Sequence, residues 1–158
     1  MDCCKKKNGS EIDNRLCPSC NKEGSLVDFI TVQSLLKSEI VEKLEDTPHY
    51  RYCKTYGCPV AYFAPQQIYR VNDLKVKATH KDHGLDVPVC YCFNYTRGFI
   101  KQGLADRLHM NVLSEIKAKM KDPGCFCETS NPQGACCLGN VSAWISECKA
   151  ELEKSSAE

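Results

Sequence analysis

Apolar residues change their period about halfway along the chain. In the first half they come in short blocks. Leu26, Val27, Phe29 and Ile30 predict a strand, and Ser34 then caps a helix with Leu35, Leu36, Ile40 and Leu44 on one face. Val60 to Phe63 and Gln67 to Val71 are rich in β-formers and split by Ala64-Pro65, and a further strand is expected from Leu74 to Thr79. Beyond Pro88 the spacing becomes helical. Ile100, Leu104 and Leu108 recur every fourth residue, and Val112, Leu113, Ile116 and Met120 form a second stripe behind Asn111 as N-cap. Asp122-Pro123-Gly124 ends that helix. Val141, Trp144, Ile145, Cys148 and Leu152 then mark an amphipathic helix from Leu138 to Leu152, with Cys148 as a core thiol.

Cysteine is what changes this picture most. The 158 residues hold 13 cysteines, a density at which a short secreted chain would read as a disulfide scaffold. The start, Met1-Asp2-Cys3-Cys4-Lys5-Lys6-Lys7, has no apolar stretch after its lysines, and no run of 18 apolar residues occurs. A cytoplasmic setting is therefore expected. There, paired cysteines bind metal or do redox chemistry more often than they form structural disulfides. The odd count agrees with ligands plus spares.

Cys17-Pro18-Ser19-Cys20 is the first strong spacing. A C-x2-C turn lets two thiolates converge on one ion while backbone N–H groups donate to the sulfurs, and structural zinc takes four such ligands tetrahedrally. Cys53 and Cys58 supply the other pair, with Gly57 allowing the tight backbone of a second knuckle. No βαβ pattern surrounds Cys17 and Cys20, which argues against a redox C-x-x-C. The expected fold is α+β: a tail over 1–16, a zinc-stapled β module with one helix over 17–87, and a helical module over 88–158.

In that second module Cys90 and Cys92 precede the helical hairpin, and Cys125, Cys127, Cys136 and Cys137 follow it. The hairpin brings both loops to one place. Four thiolates there suit a second zinc, a [2Fe–2S] cluster or Cu(I). A helix starting just past Cys137 would point its N–H groups at an anionic centre. The histidines are weaker candidates. His80 and His83 lie in a polar turn, and His49 and His109 stand alone.

Cys90-Tyr91-Cys92-Phe93 and Asn131-Pro132-Gln133-Gly134-Ala135-Cys136-Cys137-Leu138-Gly139 resemble the [2Fe–2S] domain of CopZ-type copper chaperones. That domain in turn is similar to the bacterioferritin-associated ferredoxin. The Cys17/Cys20 and Cys53/Cys58 pairs, with Val60-Ala61-Tyr62-Phe63 following, resemble the same family's zinc module. The resemblance runs from about Cys17 to about Cys148. It implies zinc on Cys17, Cys20, Cys53 and Cys58, and a [2Fe–2S] cluster on Cys90, Cys92, Cys127 and Cys137. Cys127 is implied because it stands four residues before Asn131. Cys125 is then an extra thiol, and Cys136 is the rival to Cys137. CopZ-type chaperones continue into a heavy-metal-associated domain with an M-x-C-x-x-C loop, whereas this sequence stops one helix after the cluster. Cu(I) is accordingly expected on a partner chain or on Cys3 and Cys4.

Charge and motif content narrow the function. Residues 1–89 carry 13 basic and 12 acidic side chains and residues 90–158 carry eight of each, so no one-sided field points to nucleic acid or anionic lipid. No Ser–His–Asp or phosphate-loop signature occurs, so no catalytic residue is assigned, and any turnover would be metal reduction at the cluster. The resemblance implies a metallochaperone-type protein of copper homeostasis, transferring one electron or handling Cu(I) for a copper carrier or exporter. The alternative is a small ferredoxin serving a reductase or an iron-storage partner without copper.

Overall fold

Tyr50, Tyr52 and Tyr62 have no solvent exposure, and the first module is built around them. The structure is a computed structural model that describes residues 13–46, 49–106 and 111–156. Four antiparallel strands pair in chain order: β1 (Ser25–Leu26), β2 (Arg51–Tyr52), β3 (Val60–Ala64) and β4 (Gln67–Arg70). Every residue of β3 is buried, as befits a central strand covered on both faces. Pro65 and Gln66 turn β3 into β4, with Gln66 in the left-handed region (φ 67°). That matches a turn with proline first and a positive φ second.

The first half departs from the sequence expectation at three places. The strand at Leu26 is only two residues long, and the helix α1 (Phe29–Leu35) begins five residues before Ser34. Phe29, Val32 and Leu35/Leu36 fall on one helical face against the tyrosines, so burial places Phe29 on the helix instead of a strand. Ser34 sits inside α1, its hydroxyl donating to Ile30 O. A second helix, α2 (Ser38–Val41), follows because Leu36 breaks away to form a β-bridge with Leu74. The expected strand from Leu74 to Thr79 is reduced to that bridge. Lys75 N is taken by Leu35 O, and Lys81 N and Asp82 N both turn back to Ala78 O. The hydrogen bonding of the module also reaches upstream of Cys17, since Leu16 bridges Glu23 and Gly24 N donates to Arg15 O.

The second module opens with a hairpin, β5 (Pro88–Cys90) and β6 (Tyr95–Thr96), turned at the left-handed Asn94 (φ 57°). Thr96 caps α3 (Arg97–Ala105) by accepting from Phe99 N. Next come α4 (Val112–Lys119), a wide π-type turn (Met120–Gly124), the short α5 (Cys127–Ser130) and the long α6 (Leu138–Ser156). The apolar stripes meet as the periodicity predicts. Ile100, Val112, Ile116, Val141, Trp144 and Cys148 form one buried cluster with Val89 and Tyr95.

The modules pack on each other through polar contacts. Thr31 Oγ1 donates to Glu128 O at 2.6 Å and the Tyr62 hydroxyl donates to Pro132 O at 2.5 Å. Arg97 reaches Thr79 through Nη2 and lies over the Trp144 ring, whose Nε1 donates to Arg97 O. No helix among the described residues is long and apolar enough to cross a membrane.

Candidate metal centres

The four cysteines of the first module close round one point. Cys17 and Cys58 are 3.8 Å apart at Sγ, Cys20 and Cys53 are 3.7 Å apart, and all four sulfurs lie within 4.8 Å of one another. Zinc bound tetrahedrally at about 2.3 Å per sulfur needs sulfurs about 3.8 Å apart. Local backbone chemistry builds this convergence. Asn21 after the first pair (φ 60°) and Gly57 inside the second (φ 80°) take left-handed conformations that fold each knuckle. Cys58 N returns to Thr55 O, and Cys53 N is held by Ala61 O.

Thiol electrostatics differ across this quartet. Burial pushes Cys17 up to about 12, against backbone donors from Cys20 and Ser19. Burial also acts on Cys20, but Thr55 Oγ1 at 3.3 Å, the Lys22 amide and the neighbouring thiols outweigh it and bring Cys20 down to about 6. The Lys81 ammonium donates to Cys53 Sγ at 3.2 Å and to the carbonyls of Thr55 (2.8 Å) and Cys58 (3.2 Å). A single cation thus sits against a set of ligands that would carry net negative charge around zinc. From the sequence, Lys81 reads only as part of a polar turn. It lies 28 residues from the sulfur it meets, and no local spacing signals it.

The second set of sulfurs is arranged differently. Cys92 and Cys127 are 3.3 Å apart at Sγ. Cys90 and Cys137 interact through their side chains: this partner lowers Cys90 to about 7, and together with burial raises Cys137 well above its usual value. Phe126 N donates to Cys92 Sγ at 3.2 Å, and Ser130 Oγ lies 3.3 Å from the same sulfur. Amides of Cys92 and Phe93 point at Cys90, and the Cys137 amide points at Cys127. Lys119, held over the Tyr95 ring, adds a positive field on Cys90. Four cysteines with backbone donors and a nearby cation could hold an anionic metal centre.

Cys125 and Cys136 are exposed, whereas Cys90, Cys127 and Cys137 are buried and Cys92 is half-buried. α6 begins directly after Cys137, with Val141 N bonded to Cys137 O. Cys148 is buried in the helical core, as its place on the stripe predicts. His80 is packed inward against Tyr52, with the Tyr52 hydroxyl 3.3 Å from Nδ1, and His83 stacks on Tyr56. Cys3, Cys4 and His109 lie outside the described residues.

Residues 14–75 match the family described as "zf_CopZ: Zinc binding domain". That segment holds both knuckles. Residues 14–75 are a CopZ-type zinc-binding domain. A curated relative, "Copper chaperone CopZ" of Archaeoglobus fulgidus, is 31% identical over 121 residues, which are 77% of this chain and 57% of the relative. The chain thus spans somewhat over half the length of that CopZ. The X-ray structure of the Archaeoglobus fulgidus CopZ N-terminal domain is similar with a TM-score of 0.68 at 29% identity, covering 81% of this chain and 95% of that one. The likeness to the CopZ N-terminal domain therefore extends past the zinc-binding segment into the helical module.

Proposed function

We propose that this chain is a metal-handling module of copper homeostasis with two sulfur sites of different purpose. Zinc is held by Cys17, Cys20, Cys53 and Cys58 as a structural ion, since four thiolates leave it no open position for substrate. A [2Fe–2S] cluster is held by Cys90, Cys92, Cys127 and Cys137. The observation that carries this reading is the difference in sulfur geometry. One quartet converges on a point, whereas in the other Cys92 and Cys127 stand 3.3 Å apart and Cys90 and Cys137 are buried in one core cluster.

When bound, such a cluster supplies one-electron transfer with little structural change. The chain's own residues do the rest. Amides of Cys92, Phe93, Phe126 and Cys137 donate to sulfur, and Lys119 offsets negative charge. The helical core excludes water from Cys90 and Cys137, and Phe126 beside the ligand Cys127 is exposed. With the cluster in place, these residues would serve the one-electron reduction of Cu(II) to Cu(I), with the electron drawn from a donor protein, for a copper carrier or exporter. Support for copper as cargo comes from the relative that is named a copper chaperone.

Quantitation of zinc, iron and acid-labile sulfide on one anaerobic preparation tests this. Iron and sulfide should be equal and twice the zinc, in a brown protein bleached by dithionite. A colourless protein with zinc alone overturns the cluster. Titration with Cu(II) after reduction then separates the copper role from a ferredoxin role: reoxidation of the cluster with Cu(I) trapped by a chelator supports copper. No reaction with Cu(II) beside ready transfer to a protein acceptor supports the ferredoxin.

A further inference from the structure

The loop from Cys127 to Cys137 must hold two thiolates in place, yet it has little regular structure of its own. It contains one helical turn, α5, and then a network centred on Asn131. The Asn131 amide donates to Ala135 O, Asn131 Oδ1 accepts from Gln133 N, and Gln133 Nε2 donates to Cys136 O. Asn131 and Gln133 are both buried. The zinc module packs against this loop. Glu128 O and Pro132 O face outward from the loop, and they accept from Thr31 on α1 and Tyr62 on β3. Gly134 is left-handed (φ 67°), and a Cβ there would stand 2.8 Å from Thr31 Oγ1.

The other half of the ligand set is strapped to the same module. Tyr91 lies between Cys90 and Cys92, and its hydroxyl accepts from Thr79 N at 2.9 Å while donating to Lys77 O. Thr79 belongs to the turn that carries Lys81, the residue bonded to Cys53 Sγ. Both halves of the second sulfur site thus rest on groups whose positions depend on the zinc knuckles. Tyr62 is positioned by its pairing with Tyr52, directly before Cys53, and by the bond from Cys53 N to Ala61 O. Strands β1 and β2 have two residues each, and such short pairings are marginal without a further tie.

We infer that the zinc module is the template that holds the cluster loop in ligating form, with Tyr62 and Thr31 as positioning residues, so that loading of the first site preorganises the second. The inference rests on the cluster reading above for its functional meaning, but the ordering of the loop is measurable without iron.

The experiment uses the full chain, supplied with zinc and iron-free, as wild type, as Tyr62→Phe/Thr31→Val, and as Cys58→Ser. Hydrogen exchange is followed at the amides of 131–137 and, as a control, of α6. In Tyr62→Phe/Thr31→Val, zinc content and α6 protection should stay at wild-type levels while the 131–137 amides exchange about ten-fold faster. Cys58→Ser should lose zinc and deprotect the same segment. After reconstitution, iron loss to a chelator should be about ten-fold faster in Tyr62→Phe/Thr31→Val. Unchanged protection of 131–137 in either variant overturns the inference. A wild-type protein that takes up no iron overturns the cluster reading instead, and the exchange result still decides this one.

Discussion

The ammonium of Lys81 stands 3.2 Å from the sulfur of Cys53 and is held there by the carbonyls of Thr55 and Cys58. A hydrogen bond from a cation to a thiolate is stronger than one between neutral groups, and outer-shell partners of this kind change metal affinity 10- to 100-fold. Lys81→Met should weaken zinc binding by about ten-fold or more, read by competition with a chromophoric chelator, while Lys75→Met should not. Equal affinities for Lys81→Met and wild type would remove Lys81 from the site.

The two cysteine pairs in the loop should separate cleanly by burial. Cys127 and Cys137 are buried against other sulfurs, and Cys125 and Cys136 are exposed. Cys127→Ser and Cys137→Ser should lose visible absorption and iron, and Cys125→Ser and Cys136→Ser should keep both. Loss in Cys125→Ser with retention in Cys127→Ser would move the ligand by one pair.

Gly134 is the position where the loop tolerates least. An added methyl group must take a left-handed backbone, which costs about 1–2 kcal/mol, and must displace Thr31 Oγ1 from 2.8 Å. Gly134→Ala should lose about 2–3 kcal/mol in urea unfolding. Gly139→Ala, where an added Cβ meets nothing, is the control. Similar midpoints for the two variants would contradict the packing at Thr31.

His80 gives the fold a dependence on pH. Burial, with Lys54, Arg97 and Lys81 around it, lowers its pKa from 6.5 to about 4, and the nearby Asn140 side chain acts only weakly the other way. The folded state therefore holds the ring neutral where the unfolded chain takes up a proton. Its contribution is intact above pH 6.5 and is lost as pH falls toward 4. Allowing for the ring's partial exposure, the loss is about 2 kcal/mol. Wild type should lose that much more stability than His80→Gln between pH 7.5 and pH 4.5. Parallel losses would show that the thiolates alone set the acid limit.

Much of the chain is written in local patterns that act over a few residues. The knuckle spacings of Cys17/Cys20 and Cys53/Cys58, the left-handed Gly57, the β3–β4 hairpin and the stripe on α6 each depend on neighbours within about one turn. All were legible. Phe29 was misread because four apolar residues within five positions, Leu26 to Ile30, fit a strand or a buried helix equally, and only the tyrosine core decides between them. The tertiary structure alone brings Cys92 to Cys127 across 35 residues, Lys81 to Cys53 across 28 and Tyr62 to Pro132 across 70. The pairing of sulfurs, the burial that separates Cys127 from Cys125, and the support of one site by the other module all arise from packing between distant segments. No period or spacing along a single chain encodes which of those segments will meet.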